Sequence, residues 1–507
     1  MQICNYNLNN FKKQKMKTKK LFSKGLATVL FLFAFAVSSK ANNVQITGTT
    51  VVGSNVTFNI SWDNSWNASV APNNWDAVWV FIKYQDCNTR LWAHAGLSSL
   101  VADHSTSSPL QVDPVADGRG VFIRRSALGG GTIASTSVTL KMTIPAGTYN
   151  YKVFGIEMVN VPQGAFKIGD TTIGGAFSEL DVISDGALTS GVLGGSPASA
   201  NVPVAFPVGF NSMYCMKYEI SQEQYADFLN SLTYDQQKAH TVTDPISVAG
   251  TYAMSPTYTG RIGIKISVSG NNNAVPAIYV CDATNGNENS IDDGQNIAMS
   301  GLNWSDLSAY LDWSALRPMS ELEYEKVCRG ASQPRTAGEY PWGTTDINFV
   351  APNLVLNELK PNEKYNTAIN GLCNIIFISA GSQTTFNGPL KVGFSASNTS
   401  GRASAGASYY GNMELAGNVG DMVVNTSVNG VTYTGLLGDG DLLPNGNSNV
   451  LNWPSATSGG IGTKGGAYNN YPGGFTGSGA IYARVSDRSL ITSTVTSRGS
   501  IGGRGVR

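Results

Sequence analysis

The stretch Arg317–Gly343, RPMSELEYEKVCRGASQPRTAGEYPWG, constrains the fold of this chain more than any other, because it joins a well-marked helix start to a turn-rich exit. Ser320 followed by Glu323 is a capping box. The hydroxyl accepts from one orphan amide of the first turn, and the carboxylate reaches back to another. Tyr324, Val327 and Cys328 then fall on one helical face. Glu321, Glu325, Lys326 and Arg329 are expected to stay in water, and Gly330 supplies the left-handed stop. A short capped helix is therefore expected to lay one apolar face on a core, with Pro341-Trp342-Gly343 closing the exit.

The 507 residues exceed one average domain, and 57 glycines with 13% charged residues suit a loop-rich exported protein better than a cytosolic helical bundle. Residues 1–41 hold a lysine-rich start, an apolar run from Leu26 to Val37, and Ser39-Lys40-Ala41, the pattern of a signal peptide cut after Ala41. The run is too short to span a membrane. The mature chain is expected to be secreted, periplasmic or held at the cell surface. Cleavage removes eight lysines and no acid, leaving 26 basic against 34 acidic residues and a formal charge of about −8. Nucleic acid is a poor partner for such a chain, whereas a divalent cation suits it.

Residues 42–155 alternate in polarity: Val56, Phe58, Ile60 and Trp62, then Ala77, Trp79 and Phe81, then Val138, Leu140, Met142 and Ile144. Period two predicts strands, here an antiparallel β-sandwich-like N-terminal domain. Trp66, Trp75 and Trp92 are expected to pack between elements rather than to stack on sugars. An α+β domain is expected over 156–507. In it Ser221 and Gln224 form a second capping box, and Asn303 opens a helix that buries Trp304, Leu307, Tyr310, Leu311 and Trp313. Residues 171–204 read as a surface excursion.

Beyond residue 41 the cysteines are Cys87, Cys215, Cys281, Cys328 and Cys373, with no C-x-x-C pair, and the histidines are His94, His104 and His240. Zinc knuckles and histidine-based metal chemistry are therefore disfavoured. Oxygen ligands are better represented. Asp282, Asp292 and Asp293 share one Asn/Gly-rich loop, a weak calcium candidate because its spacing is not that of an EF-hand.

In its wording, Arg317–Gly343 resembles the sulfatase-modifying-factor family, the formylglycine-generating enzyme-like proteins, whose fold is a variant of the C-type lectin fold. Arg317, Ser320, Glu321, Glu323, Glu325, Arg329, Gly330, Pro341, Trp342 and Gly343 match that pattern. Gly411–Met422, GNMELAGNVGDM, is similar to the family's calcium-binding turn. The resemblance implies calcium held by the side chains of Glu414 and Asp421 with the carbonyls of Gly417 and Val419. The closing stretch Lys464–Arg507 is similar to the family's C-terminal segment, where catalytic members carry two cysteines that bind copper(I) and activate oxygen. This chain has no cysteine there. Amides and hydroxyls do not replace thiolates for copper(I).

The resemblance thus implies a non-catalytic, exported scaffold or binding protein of the cell envelope. One alternative is a lectin-like receptor whose face, built from Tyr468, Asn469, Asn470, Tyr471 and Tyr482, takes a protein or glycan ligand. Another is an oxidoreductase that draws on cysteines elsewhere, such as Cys215 or Cys328. Arg484, Asp487, Arg488 and Arg504 are expected to form an internal charge network.

Overall fold

The computed structural model describes residues 43–254, 261–271, 275–284, 293–331, 333–379, 382–397, 400–469, 479–492 and 499–507. Two sheets build the N-terminal part. One is five-stranded, in the order Gln45–Val52, Asn55–Asn67, Gly129–Thr143 and Gly96–Leu97, with Ser105–Thr106 also on Gly129–Thr143. The other is eight-stranded, in the order Arg317–Pro318, Gly505–Val506, Met213–Met216, Tyr149–Val161, Asp76–Asp86, Val121–Arg125 and Leu110–Pro114, with Trp92–His94 also on Asp76–Asp86. Val56, Phe58, Ile60, Trp62, Val138 and Leu140 of the first sheet close a core with Val78, Val80, Ile82 and Ile123 of the second.

The strand Asp76–Asp86 is buried on both faces, and its opposite face carries the fold further. Ala77, Trp79 and Phe81 enter a second, larger core with Met158, Met216, Tyr310 and Trp313. The unbroken run Ala77–Ile82 is the sequence sign of a strand covered twice. Tyr149–Val161 pairs with Asp76–Asp86 from Tyr149↔Asp86 to Val159↔Asp76, and its end pairs with Met213–Met216. The boundary expected between residues 155 and 156 falls inside this strand, so the two parts of the chain share one sheet. Trp66 and Trp75 lie at their junction: Lys217 sits over the Trp66 ring, and the Trp75 indole donates to Tyr214 Oη at 2.8 Å.

Among the described residues the α-helices are α1 (Ser190–Leu193), α2 (Gln222–Leu229), α3 (Tyr234–His240), α4 (Trp304–Trp313) and α5 (Glu321–Arg329). Helices α2, α4 and α5 start at Ser221, Asn303 and Ser320, each with both halves of a capping box. Sequence reading missed α3, although Thr233 and Gln236 form the same device. Residues 171–204 are tied down more than expected, since Phe177, Val182, Leu193 and Val202 belong to the main core.

Helix α5 departs from the expectation most. Glu321, Glu325 and Lys326 are fully buried and Arg329 nearly so, which corrects their assignment to a solvated face. At its end Gly330 has φ +97°, and a Cβ there would stand 2.2 Å from the Tyr409 ring, so only glycine fits.

Candidate functional site

Buried charges need partners, and α5 finds them in distant segments. Arg317 grips Glu323 with two donors, at 2.9 and 2.6 Å. Arg329 donates to Glu325 at 3.0 Å, to Glu339 and to Ser486 Oγ. Arg488 reaches Glu321 from the C-terminal segment, Nε to Oε2 at 2.8 Å, and the other carboxylate oxygen accepts from the Thr426 amide at 2.7 Å. The helix is thus the hub of a network of ion pairs and hydrogen bonds drawn from three later stretches of chain, at Glu339, Thr426 and Ser486–Arg488. Arg488 is a member of this network that sequence reading had picked out.

The turn Gly411–Met422 is assembled around another buried arginine. Arg504 Nε lies 3.0 Å from both carboxylate oxygens of Asp421, and its other nitrogens donate to the carbonyls of Met413 and Glu414 at 2.7 and 2.8 Å. Glu414, at φ +49°, accepts from the Gly393 amide at 2.9 Å through Oε1. Its Oε2 is buried without a hydrogen bond. Asn418 and the Val419 amide donate to the two oxygens of Glu219, at 2.6 and 2.9 Å. Three carboxylates therefore lie in the field of the Arg504 guanidinium, which bonds directly to that of Asp421. Burial raises all three, Glu414 to about 7 and Glu219 well above the usual carboxylate range. Any calcium at this turn would share Asp421 with Arg504. Glu219 was missed as a member, although it stands two residues before Ser221, the start of the second capping box.

The family comparison fits this geometry. The sulfatase-modifying factor enzyme 1-like domain matches residues 150–478, more than half of the chain. The chain belongs to that family. No curated protein matches the sequence. The family domain begins within the shared strand Tyr149–Val161 and takes in α5 and the Gly411–Met422 turn. The arginines that complete both, Arg488 and Arg504, come from beyond the matched residues. No helix among the described residues of this family member is long and apolar enough to cross a membrane.

The remaining expected site residues scatter. Asp282 pairs with Lys265 at 3.1 Å, Asp293 is fully buried, and Asp292 lies outside the described residues. Among the described residues, no group of three or more His, Cys, Asp or Glu is placed to hold a metal. Tyr468, expected on a binding surface, is a core residue instead. It is fully buried with Met413 and Val419, and its hydroxyl lies 3.0 Å from that of Ser300. Asn469 and Tyr482 are half-buried, while Asn470 and Tyr471 lie outside the described residues. Thr463, Asn469, Gly479 and Tyr482 border a cavity of about 10 Å³, room for about one water.

Cys215, Cys281, Cys328 and Cys373 are buried thiols outside any disulfide. Burial pushes each thiol up, Cys215 to about 12. Such groups remain protonated at neutral pH and are poor nucleophiles and poor metal ligands.

Proposed function

We propose that this family member is non-catalytic and exported, and that it works at the cell envelope as a scaffold or binding protein for a protein or glycan. The observation that carries the reading is the absence of cysteine from Lys464 to Arg507. The burial of Cys215, Cys281, Cys328 and Cys373 supports it further, because copper(I) chemistry needs accessible thiolates. The leader-like residues 1–41 support export. The many short strands and turns of the family domain suit a C-type lectin-like scaffold, in which loops rather than long elements meet a partner. With Tyr468 in the core, the recognition face narrows to the side of Asn469 and Tyr482.

Copper(I) titration of the purified mature chain under anaerobic conditions tests the reading. It predicts no thiolate–copper charge-transfer band and no stoichiometric uptake. One equivalent of copper bound through cysteine overturns it.

A further inference from the structure

We propose that the side chains of Lys217 and Asp76 condense into an amide, a covalent cross-link across the strand Tyr149–Val161, with Glu157 of that strand carrying the protons. The register places the three groups on one face of the shared sheet. Asp76 pairs with Val159, and Met216 pairs with Met158, so Lys217 stands beside Glu157, two residues from Val159. The Lys217 amide donates to the Glu157 carbonyl at 2.9 Å, which fixes that position.

The three groups are shut away from water. Asp76, Lys217 and Glu157 are 1, 4 and 5% exposed, and the rings of Trp66 and Tyr218 lie 4.9 and 5.4 Å from Lys217 Nζ. Nζ bonds to Glu157 Oε2 at 3.0 Å and stands 3.6 Å from Asp76 Oδ2, close to the separation of about 3–3.5 Å at which held groups react. The two carboxyls differ in their surroundings. Asp76 accepts from Ser65 Oγ and the Trp66 amide on Oδ1, at 2.8 and 2.9 Å, and from the Trp62 indole on Oδ2, at 3.1 Å. Three donors polarise this carboxyl and are placed to hold the negative charge that develops when a nucleophile adds to its carbon. Glu157 instead takes a hydrogen bond from the attacking amine itself. Asp76 is therefore the acyl partner and Glu157 the proton carrier.

Burial raises both carboxyls against the pull of Lys217. Burial also opposes the Lys217 charge, but Tyr218, Glu157 and Asp76 outweigh it, so the ammonium is charged at rest. The reaction starts from the minor form in which the Lys217 proton has passed through Glu157 to Asp76 Oδ2, leaving a neutral amine beside a neutral acid. The Nζ lone pair forms a bond to Asp76 Cγ, and the carbonyl electron pair moves onto Oδ1, under the Ser65 and Trp66 donors. Glu157 takes one proton from the nitrogen and returns it to the Oδ2 hydroxyl. The Cγ–Oδ2 bond then breaks and water leaves. One ammonium and one carboxylate become one amide and one water, with no change of oxidation state and no co-reactant. The product replaces a buried ion pair by a neutral link between the strands that flank Tyr149–Val161.

The test is mass spectrometry of the full mature chain, reduced and denatured, first intact and then after trypsin digestion. The intact mass is expected to fall short of the sequence mass by about 18 Da, one water. The digest is expected to hold a branched peptide joining Asp76 to Lys217, with no cleavage after Lys217. Glu157→Gln keeps the shape of the side chain but carries no proton, and should leave the chain at full mass with a free Lys217 amine. A wild-type chain at full mass, or a mass deficit without the branched peptide, overturns the proposal whether or not the variant folds. A cross-link from Lys217 to Glu157, or a Glu157→Gln variant that still forms the Asp76 bond, overturns it as well.

Discussion

Replacing Arg488 by methionine isolates the charge network that holds α5. Both side chains of the Arg488–Glu321 pair are at most 2% exposed, and their closest contact is 2.8 Å. Without the guanidinium, Glu321 keeps the Thr426 amide and hydroxyl and the field of the buried Lys464, but it loses its ion-pair partner. Breaking such a pair costs about 3–5 kcal/mol. The carboxylate can also escape by taking a proton. From an ordinary carboxyl pKa of 4.5, that step costs about 3.4 kcal/mol at pH 7 and about 0.7 at pH 5. The charge-dependent loss is therefore capped at about 3.4 kcal/mol at pH 7 and shrinks by about 2.7 on going to pH 5. Arg488 also donates to the Pro197 carbonyl and the Ser199 hydroxyl, which adds a pH-independent loss of about 1 kcal/mol for each bond. Urea unfolding followed by tryptophan fluorescence at both pH values measures this. Glu321→Gln in the Arg488→Met background should recover most of the pH-dependent part. A loss equal at pH 5 and pH 7, or a double variant as unstable as the sum of the singles, refutes the reasoning.

The carboxylates around Arg504 predict the opposite pH trend. Glu414 is raised from 4.5 to about 7 in the folded state, so its contribution is fully present below pH 4.5 and is lost as pH rises through 7. Glu414→Gln should flatten that part of the stability curve by on the order of 3 kcal/mol, read from urea midpoints between pH 4 and 8. Because Arg504 already holds both Asp421 oxygens, EDTA is expected to leave the melting temperature unchanged; a drop restored by calcium would place an ion on Glu414. Cys215, Cys281, Cys328 and Cys373 should resist a thiol reagent in the native protein and react once it is unfolded in urea, as counted by mass spectrometry.

The start of α5 was legible because capping is local: Ser320 and Glu323 meet within one turn. The burial of α5 was not, because Glu321 and Glu325 are held by Arg488 and Ser486, more than 150 residues away. Charge alone reads as exposure when the partner is out of view. The strands of 42–155 were legible from period two, but alternation says nothing about what covers the second face. For that reason the shared sheet and its packing on Trp313 appeared only in three dimensions. Tyr468 was misplaced because its Tyr–Asn–Gly surroundings look the same in a recognition loop and in a turn folded onto a core. The arginine-centred turn was half legible: Glu414 and Asp421 were found by resemblance, while Arg504 and Glu219 needed the fold to bring them together.

Incubation of the mature chain with copper, oxygen and a sulfatase-type cysteine peptide, with the peptide then read by mass spectrometry, tests the proposed loss of chemistry most directly. Without cysteine between Lys464 and Arg507, the peptide should keep its thiol and gain no aldehyde. Conversion of cysteine to formylglycine above the protein-free control would contradict the account.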